Sequence, residues 1–488
     1  MEAVLNSNWI LLPVIVPLFG ALLGFLVPGW VRFIGLISVV ISAAAVLLLG
    51  NQLLGEASVQ HAVGGWGAPL GIVLQADGLS LLMLGISAAV FVAVSVHASD
   101  YFALPQIRHF WPLWLMLLGA LNALFLSGDI FNLYVTLELM SLSAVALTAL
   151  GDEPDALAGA MRYLLASLLG SVVYLLGVAF LYHQFGALDI TLLGERAEPV
   201  PALWLAAGLM FAGLMLKTAL FPLHFWLPSA HASAPAPVSA ILSALVIKAT
   251  FYMLLRLWFE IFAPFTAGAL VAIAGALGAL AILWGSVQAL RQQRLKLLIA
   301  YSTVAQVGYL FVGFALAVAS NSTLVWGAVL MLVLSHALAK AAMFLAAGNL
   351  LHFARHDRIA DLGCLAQRLP LSVAAFGLAG VSIMGLPPSG GFTAKWLLLQ
   401  AAFEQGRWEM LAVLIIGGLL AAAYVFRVLG HAFTPGSELS HTPPIIALRR
   451  GWPALLLAFA AVLLGLLTTY VLDVLAIGNP VQLVGGPG

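Results

Sequence analysis

The chain has 488 residues, of which 63% are hydrophobic and only 8% are charged, and its formal net charge is zero. Ordinary soluble domains carry about 25% charged residues, so this composition excludes a soluble globular protein. The zero net charge gives no reason to expect nucleic acid as a partner. Apolar stretches of about 20 residues recur along the whole length, which predicts an all-α polytopic membrane protein in a lipid bilayer, with residues 1–488 forming a single integral membrane domain.

Counting the apolar stretches gives about 14 predicted transmembrane segments, numbered 1 to 14 in chain order. The first lacks the basic n-region and the small-residue cleavage site of a secretory signal, so we interpret it as a membrane helix. The segments fall near residues 9–27, 31–53, 78–98, 111–127, 130–150, 160–184, 204–226, 237–262, 266–287, 297–317, 324–351, 371–402, 409–430 and 452–475.

Two of these segments contain helix-breaking residues. Pro222 and Pro228 follow Lys217 in segment 7, and a Pro-Pro-Ser-Gly-Gly run that includes Pro388 precedes Lys395 in segment 12. Proline removes a helix hydrogen bond and clashes with the preceding turn, so we expect both helices to be broken there. Backbone groups freed at membrane depth are tolerated only beside protein or a water-filled cavity, which makes both breaks candidate sites of water access.

The two breaks lie five segments apart. Paired interrupted segments indicate an internally repeated transporter fold with its site at the breaks. We therefore predict two five-helix repeats, segments 4–8 at about residues 111–262 and segments 9–13 at about residues 266–430. The alternative is that the breaks are unrelated, because prolines kink many membrane helices.

The distribution of positive charge predicts the orientation. With the N-terminus outside and strict alternation, the outside loops hold only Arg196 and Arg407, while Arg256 falls near the end of segment 8. Such a bias places the basic loops inside and both termini outside. The inside loops and helix ends hold Arg32, Arg108, Arg162, Arg291, Arg294, Lys296, Arg355, Arg358, Arg368, Arg427, Arg449 and Arg450.

Ionisable residues inside the apolar segments are the most informative feature of the sequence. An ionisable group in hydrocarbon costs several kcal/mol unless it is paired or hydrated, so it marks an ion or proton pathway by default. Five such groups, four of them cationic, predict a charged axis through the protein. They are Glu138 in segment 5, Lys217 in segment 7, Lys248 in segment 8, Lys340 in segment 11 and Lys395 in segment 12.

Each intramembrane charge also has a simpler interpretation. Glu138 is either a carboxylate that responds to the charge of a neighbouring lysine or a member of a static structural ion pair. A buried lysine can exchange its proton near neutral pH, whereas a lysine near a helix end can extend its ammonium group to the membrane surface. The second possibility fits Lys248 poorly, because segment 8 continues for more than ten residues on each side.

Three histidines extend the candidate site. His336 precedes Lys340 by four residues, which places both on one face of a helix, and histidine titrates near physiological pH. The alternative is a hydrogen-bonded core histidine. His224 and His231 flank the break after segment 7, where they either line water access or cap frayed backbone.

The sequence gives no reason to expect a cofactor or a metal in this chain. The histidines lack the spacing of metal ligands, and a single cysteine excludes a cluster ligated by several cysteines of this chain. Any electron carrier would therefore belong to another subunit.

Several stretches resemble the antiporter-like subunits of respiratory complex I and of Mrp-type multisubunit cation/proton antiporters. Segment 5 carries the resemblance in LSGDIFNLYVTLELMSLSAVAL, and segments 7 and 8 carry it in LKTALFPLHFWLPSAHASAPAPVSAILSALVIKATFYMLLR. Segments 10, 11 and 12 carry it in LIAYSTVAQVGYL, SHALAKAAMFLAAGNL and MGLPPSGGFTAKWLLLQ. The motifs occur in the family's order over roughly residues 70 to 430, and the GDIFNLYVTLE and GALDI stretches look most like the Mrp D-type subunit.

The resemblance implies a fold of 14 helices with two inverted five-helix repeats and with segments 7 and 12 broken. It implies that Glu138 pairs with Lys217, that Lys248 leads inward and that Lys395 ends the axis.

The resemblance also assigns the centre of the axis. His336 and Lys340 match the family's central positions. Some family members carry a second histidine one turn earlier, where this chain has Leu332. The central relay would then depend on water or on Ser335.

The function implied is that of a proton-translocating subunit in the inner (plasma) membrane of a prokaryote. Its partners would be other membrane subunits, and its transported ions would be protons and, in an Mrp-type antiporter, Na+. The alternative is a proton-pumping membrane subunit of a complex I-like NADH dehydrogenase, a membrane-bound hydrogenase or a formate hydrogenlyase complex.

Two further classes of protein fit the sequence less well. A stand-alone carrier of an organic substrate predicts polar or aromatic lining at the breaks, where this sequence has lysine, histidine and glycine. A quinone-binding or enzymatic membrane subunit predicts a carboxylate–histidine pair at a membrane face together with redox ligands, and the sequence suggests neither.

Overall fold

A computed structural model of the protein describes residues 9–151, 154–265, 268–435, 447–478 and 481. The first part of the chain forms α1 (Leu12–Leu26), α2 (Val31–Leu53), β1 (Val59–Ala62), β2 (Val73–Ala76), α3 (Gly78–Ala98), α4 (Leu104–Leu126), α5 (Ile130–Thr148), α6 (Pro154–Phe185), α7 (Ile190–Arg196), α8 (Pro201–Lys217), α9 (Leu227–Ser233) and α10 (Ala236–Phe262). The second part forms α11 (Ala269–Arg291), α12 (Leu295–Ser320), α13 (Thr323–Ala354), α14 (Leu365–Arg368), α15 (Pro370–Met384), α16 (Gly390–Glu404), α17 (Trp408–Phe433) and α18 (Leu448–Leu475).

The helices agree with the predicted segments. Thirteen of the 14 stretches overlap one helix each, and segment 12 overlaps the pair α15 and α16. Within the described residues, eleven helices are long and apolar enough to cross a membrane, and α1, α8 and α15 are shorter apolar helices. The prediction of a helical multi-pass membrane protein is confirmed, whereas the count of 14 crossings and the division into two inverted repeats stay predictions.

The most deeply buried helices lie at the centre of the molecule. The apolar windows of α10 and α13 are buried along their whole length, and that of α12 nearly so. Helices that are apolar on all sides are expected in such a position. Peripheral helices instead expose large apolar side chains, for example Leu165, Leu169 and Val172 of α6, as contact with lipid requires.

A β-hairpin between α2 and α3 was not predicted. The strands β1 and β2 pair antiparallel with Val59 opposite Ala76, and Leu74 forms a further bridge to Ser127 between α4 and α5. Strands of four residues are too short for their side-chain alternation to stand out from a loop. Through this bridge, the hairpin packs the α2–α3 connection against the turn that precedes α5.

The first break follows Lys217, the last residue of α8. The chain then turns through Ala219, whose φ is 59°, and Trp226 donates from Nε1 to the carbonyl of Leu216 at 3.0 Å. The helix resumes as α9 at Leu227, with Pro228 in its first turn. Pro228 therefore starts a helix, where its missing N–H costs nothing, and does not interrupt one as the sequence suggested.

The second break separates α15 from α16. Gly385 ends α15 with a φ of 84°, and Ser389 caps α16 by accepting from the backbone N–H of Phe392 at 3.1 Å. A Cβ on Gly391 would lie 2.0 Å from the carbonyl oxygen of Ser382. Glycine thus lets the two half-helices pass in direct backbone contact, which brings Lys395 of α16 back to the end of α15.

Candidate functional site

Glu138 and Lys217 form a buried ion pair between α5 and α8. The Nζ of Lys217 lies 3.1 Å from Oε1 of Glu138 and donates to Oγ of Ser141 at 2.9 Å. Ser171 of α6 donates to the same carboxylate oxygen. The lysine side chain is 3% exposed and the glutamate side chain 17%. The pairing implied by the resemblance is present, and the surrounding hydroxyls can stabilise either member when the other moves away.

Lys248 lies in α10 and is fully buried. Its Nζ donates to the carbonyl of Ser243, which belongs to a π-helical turn, Leu242–Val246. Such turns often occur at functional sites, because they break the regular hydrogen-bond ladder. Oγ of Ser243 lies 2.9 Å from Oγ1 of Thr303 on α12. No carboxylate in the described part of the chain pairs with Lys248, whose amino group bonds to the carbonyl oxygen of Ser243 instead.

His336 and Lys340 occupy one face of α13, and both are buried. Lys340 donates to the carbonyl of Ile299 at 3.0 Å and also to Oγ of Ser302. Neither ring nitrogen of His336 has a hydrogen-bond partner among the described residues.

His336 occupies the central position of the lysine series. Its ring interacts electrostatically with Lys248, Lys340 and Lys395. Ser335, the proposed substitute for a second histidine, instead pairs with Ser382 at 2.5 Å, so it is already engaged.

Lys395 lies at the far end of the series. Its Nζ donates to the carbonyl of Ile383, in the last turn of α15, at 2.6 Å. It also lies 4.2 Å from the centre of the Tyr309 ring on α12. The side chain is buried. A carbonyl and an aromatic face both attract an ammonium group without neutralising its charge.

The structure separates the two histidines at the first break. His231 of α9 is fully buried beside Phe344, with ring centres 5.5 Å apart, and both of its nitrogens lack a partner among the described residues. It interacts electrostatically with Lys248, Lys296 and Lys340. His224 is only partly buried and stacks on Phe221. His231 therefore belongs to the lysine series, whereas the structure does not bring His224 to it.

The two prolines predicted as water-access positions both lie at the surface. Pro222 and Pro388 are exposed. They mark the turns between half-helices, and the lysines themselves lie deeper.

A polar cavity of about 710 Å³ lies beside α9. Residues at the ends of α6, α9, α12 and α13 contribute to its lining, in which basic side chains outnumber acidic ones. Lys296 reaches from the cavity wall to the carbonyl of Ala234. Since α9 contributes Ser229 and Ser233 to the wall and also carries His231, this one short helix connects the cavity to the lysine series. The charged residues of the lining are Asp155, Arg162, Arg294, Lys296, Arg355 and Asp357, with His352 and His356 beside them.

A second buried ion pair was not predicted from the sequence. Arg256 of α10 donates to both carboxylate oxygens of Asp77, at 2.5 and 2.9 Å, and lies 3.5 Å from Glu260. Asp77 also caps α3, because it accepts from the N–H of Ser80. An aspartate placed directly before an apolar segment signals the cap, but nothing in the sequence connects it to an arginine 179 residues away.

Three polar side chains on α12 were not predicted as part of the site either. Ser302, Gln306 and Tyr309 recur at spacings of four and three residues in the motif LIAYSTVAQVGYL, which places them on one helical face. The structure turns this face toward Lys340 and Lys395. The helical spacing of polar residues in an apolar run was the available signal.

Comparisons with known proteins identify the family of this chain. The profile of a family described as "NADH:quinone oxidoreductase/Mrp antiporter, TM" matches residues 127–421. The chain belongs to this family. The matched span contains Glu138, His336 and the lysines from Lys217 to Lys395.

Relatives in both branches of the family are similar to this chain. The N-type NADH-quinone oxidoreductase subunit of Desulforudis audaxviator (strain MP104C) is 37% identical over 438 residues, which cover 87% of this chain and 86% of the relative. The D-type Na(+)/H(+) antiporter subunit of Bacillus subtilis (strain 168) is 27% identical over 477 residues, 95% of each chain. A chain in the structure of the Mrp complex from Dietzia sp. DQ12-45-1b has the same fold, with a TM-score of 0.87 at 24% identity over 98% of this chain and 97% of that one.

Proposed function

We propose that this chain is a proton-translocating, antiporter-like subunit of a multisubunit membrane complex, of the Mrp-type Na+/H+ antiporter kind. One observation carries the proposal. A series of buried ionisable side chains runs from the Glu138–Lys217 pair to Lys395, and within the described residues Lys248, Lys340 and Lys395 have no carboxylate partner. Groups held in this way are costly in a membrane, and for that reason they typically mark ion or proton pathways.

The mechanism we infer is a relay driven by charge. Two charges 4 Å apart at an effective dielectric constant of about 20 attract by roughly 4 kcal/mol. That energy changes the ratio of charged to neutral lysine by about 10³-fold. Closure of the Glu138–Lys217 pair therefore favours the ammonium form of Lys217. When the pair separates, the proton is released toward Lys248, and then through His336 and Lys340 to Lys395.

We infer that water enters at the end of the molecule that carries Arg32, Arg449 and the polar cavity, which we call the basic end. Arg32 and Arg449 both pair there with Asp100, and the polar cavity beside α9 opens among further arginines. Under the positive-inside rule this end faces the cytoplasm and both termini face outward, in the plasma membrane of a prokaryote. Protons from the cytoplasm would then reach the relay through His231.

A second candidate is favoured by the relative at 37% identity, whose name is that of a complex I subunit. In that case the chain is the proton-pumping membrane subunit of a complex I-like oxidoreductase, and other subunits carry the redox centres. Purification with partners retained separates the two candidates. Small Mrp-type subunits in the complex support the antiporter, whereas iron–sulfur or nickel subunits support the oxidoreductase.

The relay is tested by Glu138→Ala in membrane vesicles. We expect proton transport to be abolished while the complex still assembles, because Lys217 loses its switching partner. Glu138→Asp should retain part of the activity. The control is Glu409→Ala, which removes an exposed carboxylate. Normal transport by Glu138→Ala would make the pair structural and end the relay proposal.

A further inference from the structure

The transfer of a proton from Lys340 to Lys395 lacks a direct protein connection. The two side chains interact electrostatically, but they bond to different helices. Lys340 donates to Ile299 and Ser302 of α12, and Lys395 donates to Ile383 of α15. Carbonyl oxygens accept hydrogen bonds and cannot donate them. Of these partners only the hydroxyl of Ser302 can both accept a proton and pass one on.

Tyr424 of α17 supplies a second hydroxyl at this point. Its side chain is fully buried, and its hydroxyl faces the side chains of Ser302 and Gln306. At hydrogen-bond geometry, however, that hydroxyl has no partner among the described residues. Leaving a buried hydroxyl unpaired is unfavourable, and such groups in folded proteins call for an explanation.

Gln306 and Tyr309 connect Tyr424 to the surroundings of Lys395. The Nε2 of Gln306 lies 3.4 Å from the carbonyl of Ile383, the same oxygen that accepts from Lys395 at 2.6 Å. Tyr309, whose ring contacts Lys395, interacts electrostatically with Tyr424. The Tyr424 hydroxyl thus lies between the polar surroundings of the two lysines.

We propose that the Tyr424 hydroxyl transfers protons between Lys340 and Lys395, and that Gln306 positions it. This inference rests on the proposed relay function. In one transfer the Lys340 ammonium gives a proton to Ser302 as Ser302 gives its own to Tyr424. Tyr424 gives its own proton, directly or through one water molecule, to the neutral amine of Lys395. Each oxygen ends with the protons it began with, and one positive charge has moved from Lys340 to Lys395.

The test compares the same substitution at two buried tyrosines. Tyr424→Phe removes the hydroxyl in question. The matched control is Tyr174→Phe on α6, which removes a buried hydroxyl that donates to the carbonyl of Ile130 at 3.0 Å. Proton transport is measured in vesicles that hold the intact complex, in H2O and in D2O, at matched amounts of assembled protein.

We expect Tyr424→Phe to slow transport by about 10²-fold or more, as loss of a proton-transfer group does, and to enlarge the solvent isotope effect. Tyr174→Phe should transport near the unsubstituted rate. Ser302→Ala removes the preceding link and should slow transport as well, which keeps the proposal testable if Tyr424→Phe fails to assemble.

Two results would overturn the proposal. The first is normal transport by Tyr424→Phe or Ser302→Ala while Glu138→Ala is inactive, which would leave the relay function itself standing. The second is equal slowing by both tyrosine variants with an unchanged isotope effect, which would assign Tyr424 to packing. Normal transport by Glu138→Ala as well would instead remove the relay function on which the proposal rests.

Discussion

The buried cations of this chain are held in two different ways. Arg256 is fixed by a two-point contact with Asp77, and breaking such a buried pair typically costs about 3–5 kcal/mol. Within the described residues, the amino groups of Lys248, Lys340 and Lys395 bond to carbonyl or hydroxyl oxygens, and that of Lys395 also faces an aromatic ring. Arginine stays charged in proteins, whereas lysine can lose its proton when buried. The arrangement of Arg256 therefore suits a structural ion pair, and that of the three lysines suits groups that exchange protons.

Substitution of Lys395 distinguishes proton exchange from fixed charge. We expect Lys395→Arg to be as damaging as Lys395→Ala, because arginine keeps the charge but cannot release a proton. Lys395→His or Lys395→Glu, which can titrate, should retain more activity. The measurement is proton transport in membranes with matched protein amounts.

Arginine is also bulkier than lysine, so assembly of the complex must be checked for each variant at this position. Full activity of Lys395→Arg in an assembled complex would show that this side chain never gives up its proton. The exit of the pathway would then lie elsewhere.

The broken helices position the ends of the lysine series. Lys217 is the last residue of the half-helix before the first break, whereas Lys395 lies in the half-helix after the second break. Each lysine therefore lies beside a helix break, where the backbone groups at the end of a half-helix lack hydrogen bonds within the helix. Such ends bind ions without a dedicated side-chain ligand.

Close contact between the two half-helices at the second break is testable at Gly391. A Cβ there would lie 2.0 Å from the Ser382 carbonyl oxygen, so Gly391→Ala should push α16 away from α15 and weaken the Lys395–Ile383 hydrogen bond. We expect a loss of about 1–3 kcal/mol of stability, as overpacking causes, together with reduced transport. Thermal unfolding of the purified complex and vesicle transport measure the two effects.

The matched control is Gly430→Ala on α17, where no atom lies within 4 Å of the added Cβ. It should leave both measurements unchanged or raise stability slightly, because alanine favours helix over glycine. Equal behaviour of the two variants would mean that the backbone contact at Gly391 does not position Lys395.

Sequence patterns predicted where the two helices break but not how the chain turns at each break. Proline and glycine mark a break because their local chemistry is incompatible with a continuous helix. The role of Pro228 as a helix start depends on where the chain turns back, and that is set by Trp226 closing onto Leu216. The short strands of the β-hairpin are likewise fixed by contacts with a distant turn.

At the scale of the whole molecule, the sequence identified the buried charges but not all of their partners. An ionisable residue in an apolar run is visible without any structure, so Lys248 and Lys340 could be named. Tyr424 and Gln306 are separated by more than 100 residues, and helical periodicity shows which residues share a face but not which faces meet. The relation of Asp77 to Arg256 was hidden for the same reason.

The orientation of the molecule in the membrane yields the last prediction. The end that carries Arg32, Arg449 and the basic cavity is expected to face the cytoplasm, and the loop between α7 and α8 is expected to face outward. In a Cys364→Ser background, Glu198→Cys probes that outer loop and Arg358→Cys probes the basic end. Both positions are exposed in the structure.

A membrane-impermeant maleimide should label Glu198→Cys in intact cells and should label Arg358→Cys only after the cells are permeabilised. The Cys364→Ser parent, assembled but unlabelled, is the control. The reverse pattern would place the basic cavity on the outer side. Protons would then reach His231 from outside, and the direction of the relay from the Glu138–Lys217 pair to Lys395 would have to be reconsidered with it.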